Sequence, residues 1–146
     1  MNQDEQRTLI ELLEEIPDPR RGNRIQHNLK DIILIGIMSI VCGANSFTGM
    51  EIWGQTHEEL LRQFLELPYG IPSHDTFGDV FSALSPRHLE ECFNKWLVIL
   101  REDVNDAKLV AIDGKTIRRS KSSDKKAVHV VTAFASELQL VLGQLA

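Results

Sequence analysis

Asp113 is the residue whose type and position point most directly to chemistry. It follows the apolar run at residues 109–112 and precedes Gly114. An apolar strand that runs through a core brings its last residue to the end of a sheet, where many α/β sites form. A carboxylate there can ligate Mg²⁺, which prefers oxygen ligands and needs several of them. The alternative is a structural turn, because Asp-Gly is a common hairpin signal.

Two basic segments could bind a polyanion. One follows Asp113 and contains Lys115, Arg118 and Arg119, and the other contains Arg20 and Arg21. Beside a metal-bound carboxylate, such side chains would hold DNA phosphates by charge-assisted hydrogen bonds. The alternative is a solvated charge run in the first segment and structural turn charges in the second. The net charge of −5 argues against a protein that coats nucleic acid along its whole surface.

Other kinds of site are not indicated. The five histidines show no metal-ligand spacing, and there is no Walker-type loop, GxSxG or GxGxxG motif. Cys42 and Cys92 lie in apolar helical patterns without a CxxC pair, which predicts reduced thiols in a cytoplasmic protein. The apolar run at residues 32–42 would span roughly 16 Å as a helix, against the ~30 Å core of a bilayer. We therefore expect a buried central helix and no membrane association.

The elements that would position these residues fall into two groups. Helical spacing predicts a helix before Pro17, the central helix, one helix through residues 50–65, and two helices capped by Ser73 and Ser85. A polar linker follows at residues 101–106. We therefore predict a helical domain at residues 1–104 and a second domain at residues 105–146.

The second domain is predicted to contain strands. Residues 109–112 and 128–134 are rich in apolar and β-branched side chains, and Ser136-Glu137 could turn the chain into a further strand at residues 138–145. The predicted fold class is therefore α+β, a helical domain followed by antiparallel strands.

Five ordered motifs resemble the H-repeat-associated family of bacterial insertion-sequence transposases. They are Ile16-Pro-Asp-Pro-Arg-Arg21, the apolar helix after His27, Trp53-Gly-Gln-Thr-His57, Gly70-Ile-Pro-Ser-His-Asp-Thr-Phe77 and Ala111-Ile-Asp-Gly-Lys-Thr116. The resemblance implies a helical, transposase-associated domain followed by a DDE catalytic domain with an RNase H-like fold. Residues 128–135 and 138–145 would be the second and third strands of that domain.

The resemblance also implies roles. Asp113 would be the first acid of the DDE triad and a Mg²⁺ ligand, in an enzyme that cleaves phosphodiesters and transfers strands at transposon ends. The family's second Asp and its Glu would lie beyond Ala146, so we expect a truncated chain without activity of its own. The alternative is a non-catalytic module that binds DNA, forms a homo-oligomer, or pairs with and inhibits a full-length transposase. A decayed product without a selected role is the third hypothesis.

Overall fold

The computed structural model describes residues 8–22, 25–103 and 126–145. Within these residues the chain forms seven α-helices: α1 (Leu9–Glu14), α2 (Leu29–Val41), α3 (Phe47–Thr56), α4 (Glu58–Leu61), α5 (His74–Ala83), α6 (Pro86–Asp103) and α7 (Ala127–Leu145). The described ranges contain no β-strand. None of their helices has the length and apolar character needed to cross a lipid bilayer.

The prediction of an α+β fold is wrong for the described part of the chain. Residues 128–135 and 138–145, expected as antiparallel strands, both lie in α7. The physical reason is the spacing of the buried side chains, which recur at i, i+3, i+4, i+7 and i+8, as on one face of a helix. These residues are Ala127, Val130, Val131, Phe134 and Ala135. The expected strand at residues 109–112 lies outside the described residues.

Helix α2 is the centre of the bundle, as its apolar sequence predicted. Ile32, Ile33 and Ile35 are completely buried, and helices α1, α3, α5 and α7 all pack against α2. A helix that is apolar nearly all round is stable in water only when neighbours cover every face. The prediction of a buried helix, rather than a membrane segment, is therefore confirmed by its packing.

Helix α7 shares this core. The Phe134 ring stacks on the Phe93 ring of α6 with centroids 4.0 Å apart, and Trp96 meets it edge-on at 5.7 Å. Gln139 Nε2 donates to the Val41 carbonyl at the end of α2. Residues that the sequence pattern assigned to a second domain therefore complete the helical core. The boundary at residue 104 stays a prediction, since residues 104–125 lie outside the described ranges.

Serine caps set the starts of two helices where the sequence predicted them. Ser73 Oγ accepts a hydrogen bond from the Thr76 N–H at the start of α5, and Ser85 Oγ accepts one from His88 N–H at the start of α6. Both predicted caps are confirmed. The single helix predicted through residues 50–65 is wrong, because the chain divides into α3 and α4 at His57 and α4 ends at Leu61.

Candidate nucleic-acid interface

Four predicted site residues, Asp113, Lys115, Arg118 and Arg119, lie outside the described residues. Their roles stay predictions. In residues 8–22, 25–103 and 126–145, no group of three or more His, Cys, Asp or Glu side chains could hold a metal ion. The described residues therefore do not fit a Mg²⁺ site, and the expectation of this ion rests on Asp113 alone.

The other two predicted residues lie in a basic turn, defined here as residues 18–22, directly after α1. Asp18 organises this turn through Arg20. Its Oδ1 accepts from the Arg20 backbone N–H at 2.9 Å and from Arg20 Nε at 3.0 Å, and its Oδ2 accepts from Arg20 Nη2 at 2.8 Å. The side-chain hydrogen bond from Arg20 lowers the pKa of Asp18. Because Asp18 is therefore ionised at neutral pH, the Arg20 guanidinium is held in one orientation with part of its charge compensated.

Arg21 is the exposed cation of the basic turn. It forms no ion pair with another described side chain, whereas Arg20 is paired and its side chain is only 17% exposed. Gly22 follows with a φ of +100°, a left-handed conformation that glycine adopts without steric cost. Among the described residues, the turn thus places one guanidinium that is paired with a carboxylate next to one that is not.

Lys30, in the first turn of α2, is a weaker candidate for binding a polyanion. Its Nζ lies 3.1 Å from Glu14 Oε1 of α1, and this hydrogen bond raises the pKa of Lys30. The lysine is therefore charged, but its charge is compensated by a carboxylate. The pair joins the N-terminal turn of α2 to the last turn of α1.

An aromatic turn, defined as residues 67–70, contacts His27, which follows the basic turn in the sequence. Tyr69 is 62% exposed, and its ring centroid is 6.3 Å from that of His27 in an edge-on arrangement. Burial lowers the pKa of His27, and the charge of Arg20 lowers it further. The His27 ring is therefore neutral at neutral pH and close to both Arg20 and Tyr69. The sequence prediction missed Tyr69, although an aromatic residue between Pro68 and Gly70 is a signal of a surface turn.

Asp31 lies under these turns as a buried carboxylate, 1% exposed. Burial raises its pKa, and the Lys30 charge, Asn28 and the Leu67 backbone N–H each offset part of that effect. Asn28 Nδ2 donates to Asp31 Oδ2 at 3.4 Å, instead of Asn28 accepting a capping bond from the backbone of α2. Oδ1 lacks a partner of full hydrogen-bond geometry among the described residues. Asp31 thus links the start of α2 to the aromatic turn at some energetic cost.

The motifs around Trp53 and Gly70 form a second polar cluster, which we call the carboxylate clamp: Glu51, Gln55 and His74. Glu51 Oε1 accepts from the His74 backbone N–H at 2.6 Å and from His74 Nδ1 at 2.8 Å. Gln55 Nε2 donates to the other oxygen at 3.2 Å. The hydrogen bonds from His74 lower the pKa of Glu51, and the bond to Glu51 raises the pKa of His74.

The glycine of the Trp53 motif serves packing. A Cβ on Gly54 would lie 2.7 Å from Ile71 Cγ2, closer than a real contact allows. The next residues end the helix, since the His57 ring stacks on Trp53 at 4.4 Å and His57 Nδ1 lies 2.9 Å from the Trp53 carbonyl oxygen. This cluster therefore holds α3 against the start of α5, which is a structural task.

A groove of about 470 Å³ lies where the end of α2, the start of α3 and the start of α7 meet. Its lining is mostly apolar, with Ile40, Phe47 and Val128 among the wall residues and His129 as the titratable one. Nothing in this lining resembles a catalytic arrangement of an acid, a base and a nucleophile.

The amino-acid sequence is similar to those of known proteins. The family described as DDE_Tnp_1-associated matches residues 10–97. Two proteins of Escherichia coli (strain K12) match over 143 residues, or 97% of this chain: Putative protein YbfL at 39% identity and the H repeat-associated putative transposase YhhI at 38% identity. Each match covers 38% of the relative, so the chain spans well under half the length of these proteins.

A further relative matches about half of the chain. Inactive transposase YbfQ of the same strain is 36% identical over 78 residues, which is 53% of this chain and 93% of that protein. No solved structure matches the chain.

Proposed function

The chain belongs to the DDE_Tnp_1-associated family, and we infer from this that it serves DNA transposition as a helical region of an insertion-sequence transposase. The observation that carries the proposal is the 38% identity to an H repeat-associated putative transposase over 97% of the chain. Because the chain spans 38% of that relative, we do not assign the complete transposition reaction to this chain, only a part in it.

The task of the described residues in this setting is to bind DNA through the basic turn. Arg21 is exposed and uncompensated, so it can donate charge-assisted hydrogen bonds to a phosphate. Arg20 is oriented by Asp18 and retains donors that this pairing does not use. Such contacts hold the backbone of transposon-end DNA without reading its sequence. Lys115, Arg118 and Arg119 would form a second contact segment.

Asp113 would supply one carboxylate ligand to a Mg²⁺ ion, whose chemistry in phosphoryl transfer is to stabilise charge on the reacting oxygens. One carboxylate does not hold this ion, and the described residues add no further ligand group. The proposal for this chain alone is that it does not cleave DNA in the presence of Mg²⁺. Cleavage by the purified chain that Asp113→Ala abolishes would contradict this.

A second candidate function is a non-catalytic module that pairs with a full-length transposase. It is favoured by the relative named an inactive transposase, 93% of whose length lies within the match to this chain. The closed apolar core of the described helices is consistent with a unit that folds without a catalytic partner. Co-purification with a full-length relative tests this function, and a chain that stays separate from it would exclude the pairing.

The DNA-binding function is tested by titrating a labelled duplex with the chain at several salt concentrations. Arg21→Gln removes the exposed cation of the basic turn. Arg87→Gln is the control, because it removes a cation on α6 whose side chain is 85% exposed. We expect Arg21→Gln to weaken binding for all sequences and to reduce the salt slope by about 0.9, the share of one phosphate contact. Arg87→Gln should leave the slope unchanged. Absence of wild-type binding at low salt would refute the function.

A further inference from the structure

The backbone of the aromatic turn holds Tyr69 in a closed, hydrogen-bonded conformation. The Gly70 N–H donates to the Leu67 carbonyl at 3.0 Å and closes the turn, with Pro68 fixing φ at its first central position. Leu67 anchors the turn because its side chain is 1% exposed. A side chain at the tip of a closed, proline-stiffened turn loses little entropy when it binds a partner, because the backbone is already ordered.

Holding Leu67 in place is costly. Its φ of +47° is a left-handed conformation that a leucine rarely adopts, and Gly70 follows with a φ of +77°. Strain of this kind persists only where the surrounding contacts fix the backbone. Here the buried Leu67 side chain, 1% exposed, and the Gly70 N–H bond to the Leu67 carbonyl supply those contacts. Tyr69 therefore sits in a turn whose strained backbone is fixed by these contacts.

The surroundings of Tyr69 indicate the chemistry of its partner. His27 supports the ring from one side at 6.3 Å, and the charge of Arg20 contributes to the lowered pKa of His27. Arg21 follows in the same basic turn as an exposed cation that pairs with no described side chain. An open aromatic face next to guanidinium groups is the combination by which proteins bind single-stranded nucleic acid, with the ring stacked on a base and the cations on the backbone.

We propose that Tyr69, supported by His27, stacks on an unpaired base of DNA while the basic turn holds the adjacent phosphates. The inference rests on the proposed DNA-binding function and adds the substrate class: a DNA end or junction that exposes an unpaired base. Inside a duplex the faces of a base are covered by its neighbours, so a tyrosine ring reaches one only where the stack is interrupted. Arg21 then serves any DNA, whereas Tyr69 serves DNA with an unpaired base.

The test compares three labelled DNAs in binding titrations with the full chain: a blunt duplex, the same duplex with a 3′ overhang of about four nucleotides, and that overhang with abasic sites. Wild type should bind the overhang about 10-fold more tightly than the blunt duplex, a typical contribution of one stacked base. The abasic overhang should lose most of this preference. Tyr69→Ala should abolish it while leaving binding to the blunt duplex unchanged, and Tyr69→Phe should retain it.

Phe64→Ala is the matched control, because it removes an aromatic ring of 43% exposure that lies outside both turns. It should keep the preference for the overhang. An overhang preference that is absent in the wild type, or that survives in Tyr69→Ala, overturns the inference while binding to blunt duplex preserves the proposed function. Failure of the wild type to bind any of the three DNAs overturns both. Thermal unfolding of each variant excludes loss of the fold as the cause.

Discussion

Replacing Phe134 with alanine tests the placement of α7 in the core. The Phe134 ring is completely buried, lies parallel to Phe93 at a centroid distance of 4.0 Å, and meets Trp96 edge-on at 5.7 Å. All three rings belong to the contact between α6 and α7. The substitution therefore removes the ring that joins these two helices and leaves a cavity between them.

The expected loss of unfolding free energy is large. Truncating a buried phenylalanine costs about 3–5 kcal/mol, and an aromatic pair adds about 0.5–1.5 kcal/mol beyond the buried area. Because Phe134 has two aromatic partners, we expect the upper part of the first range, about 4–5 kcal/mol. Typical domains have only about 5–15 kcal/mol of total stability. At about 2–4 °C per kcal/mol, the melting temperature should fall by roughly 8–20 °C.

Urea unfolding followed by tryptophan fluorescence measures this loss, since Trp96 contacts the altered site directly. Thr132→Ala on the same helix is the control, because Thr132 is exposed and its Oγ1 donates to the Val128 carbonyl oxygen of its own helix. Its effect should stay within about 0.5 kcal/mol. The pair of variants separates loss of packing from a general effect on α7.

The pattern of effects would also distinguish a helix from a strand. In α7, Val131 lies on the buried face with Phe134, and Thr132 lies on the exposed face. In a strand, alternation would place Thr132 on the face of Phe134 and Val131 on the opposite face. A loss below about 1 kcal/mol for Phe134→Ala, or a larger loss for Thr132→Ala than for Val131→Ala, would refute the packing of α7 argued here.

Three further predictions concern other parts of the fold. Gly36→Ala should destabilise by about 1–3 kcal/mol in urea unfolding, since its Cβ would lie 2.8 Å from the Phe81 ring. The difference in unfolding free energy between wild type and Glu51→Gln should be greatest between pH 4.5 and 6.5 and should fall on either side of this range. The two limits are the ordinary pKa values of the Glu51 carboxyl and the His74 imidazole. Asp31→Asn should stabilise the fold at pH 7, because the buried carboxylate has a raised pKa and its ionised form is disfavoured.

The signs of the two pH effects follow from the direction of each shift. His74 has a raised pKa in the fold, so its contribution is complete below 6.5 and is lost as pH rises through the folded pKa. Glu51 has a lowered pKa, so its contribution is present above 4.5 and is lost as pH falls through the folded pKa. A pH-independent difference for Glu51→Gln would contradict the clamp, and an Asp31→Asn variant less stable than wild type at pH 7 would contradict the assigned cost of Asp31.

The helices before residue 104 were largely predictable because local signals and packing agree there. Ser73 and Ser85 bond to the backbone as caps at the predicted positions, and the apolar run at residues 32–42 forms the core of α2. The break at His57 was not predictable from periodicity. The break coincides with two contacts of the His57 ring, which stacks on Trp53 and has its Nδ1 next to the Trp53 carbonyl oxygen. Hydrophobic spacing does not reveal such contacts.

Helix α7 was predicted wrongly because two sequence signals conflict in it. Val128, Val130 and Val131 favour a strand by intrinsic preference, and the resemblance to the transposases supported that expectation. The buried positions instead follow the helical period, and a stripe that fills the gap between α2 and α6 outweighs a preference of about 1 kcal/mol or less. Tertiary packing decided the outcome, and the period of the apolar residues was its signal.

The candidate site was only partly predictable, because the sequence shows which residues are charged but not which of them pair with an opposite charge in the fold. Arg20 and Arg21 are adjacent and chemically identical, yet Asp18 holds the first and leaves the second exposed. Spacing alone gave them equal weight. The resemblance also rested on the motifs at residues 53–57 and 70–77 without assigning them a role, and in the fold Gln55 and His74 of these motifs help to join α3 to α5.

The residues that stabilise the fold differ from those proposed to bind DNA, and this affects which substitutions the region can accept. The clamp of Glu51, Gln55 and His74 joins α3 to the start of α5 through hydrogen bonds among these three residues. Substitutions at Arg21 or Tyr69 remove exposed side chains and leave that core intact, since surface changes typically cost within about 0.5 kcal/mol. The proposed DNA binding could therefore be lost while the fold persists. A chain that had lost it would remain a stable helical unit, as the proposed pairing module requires.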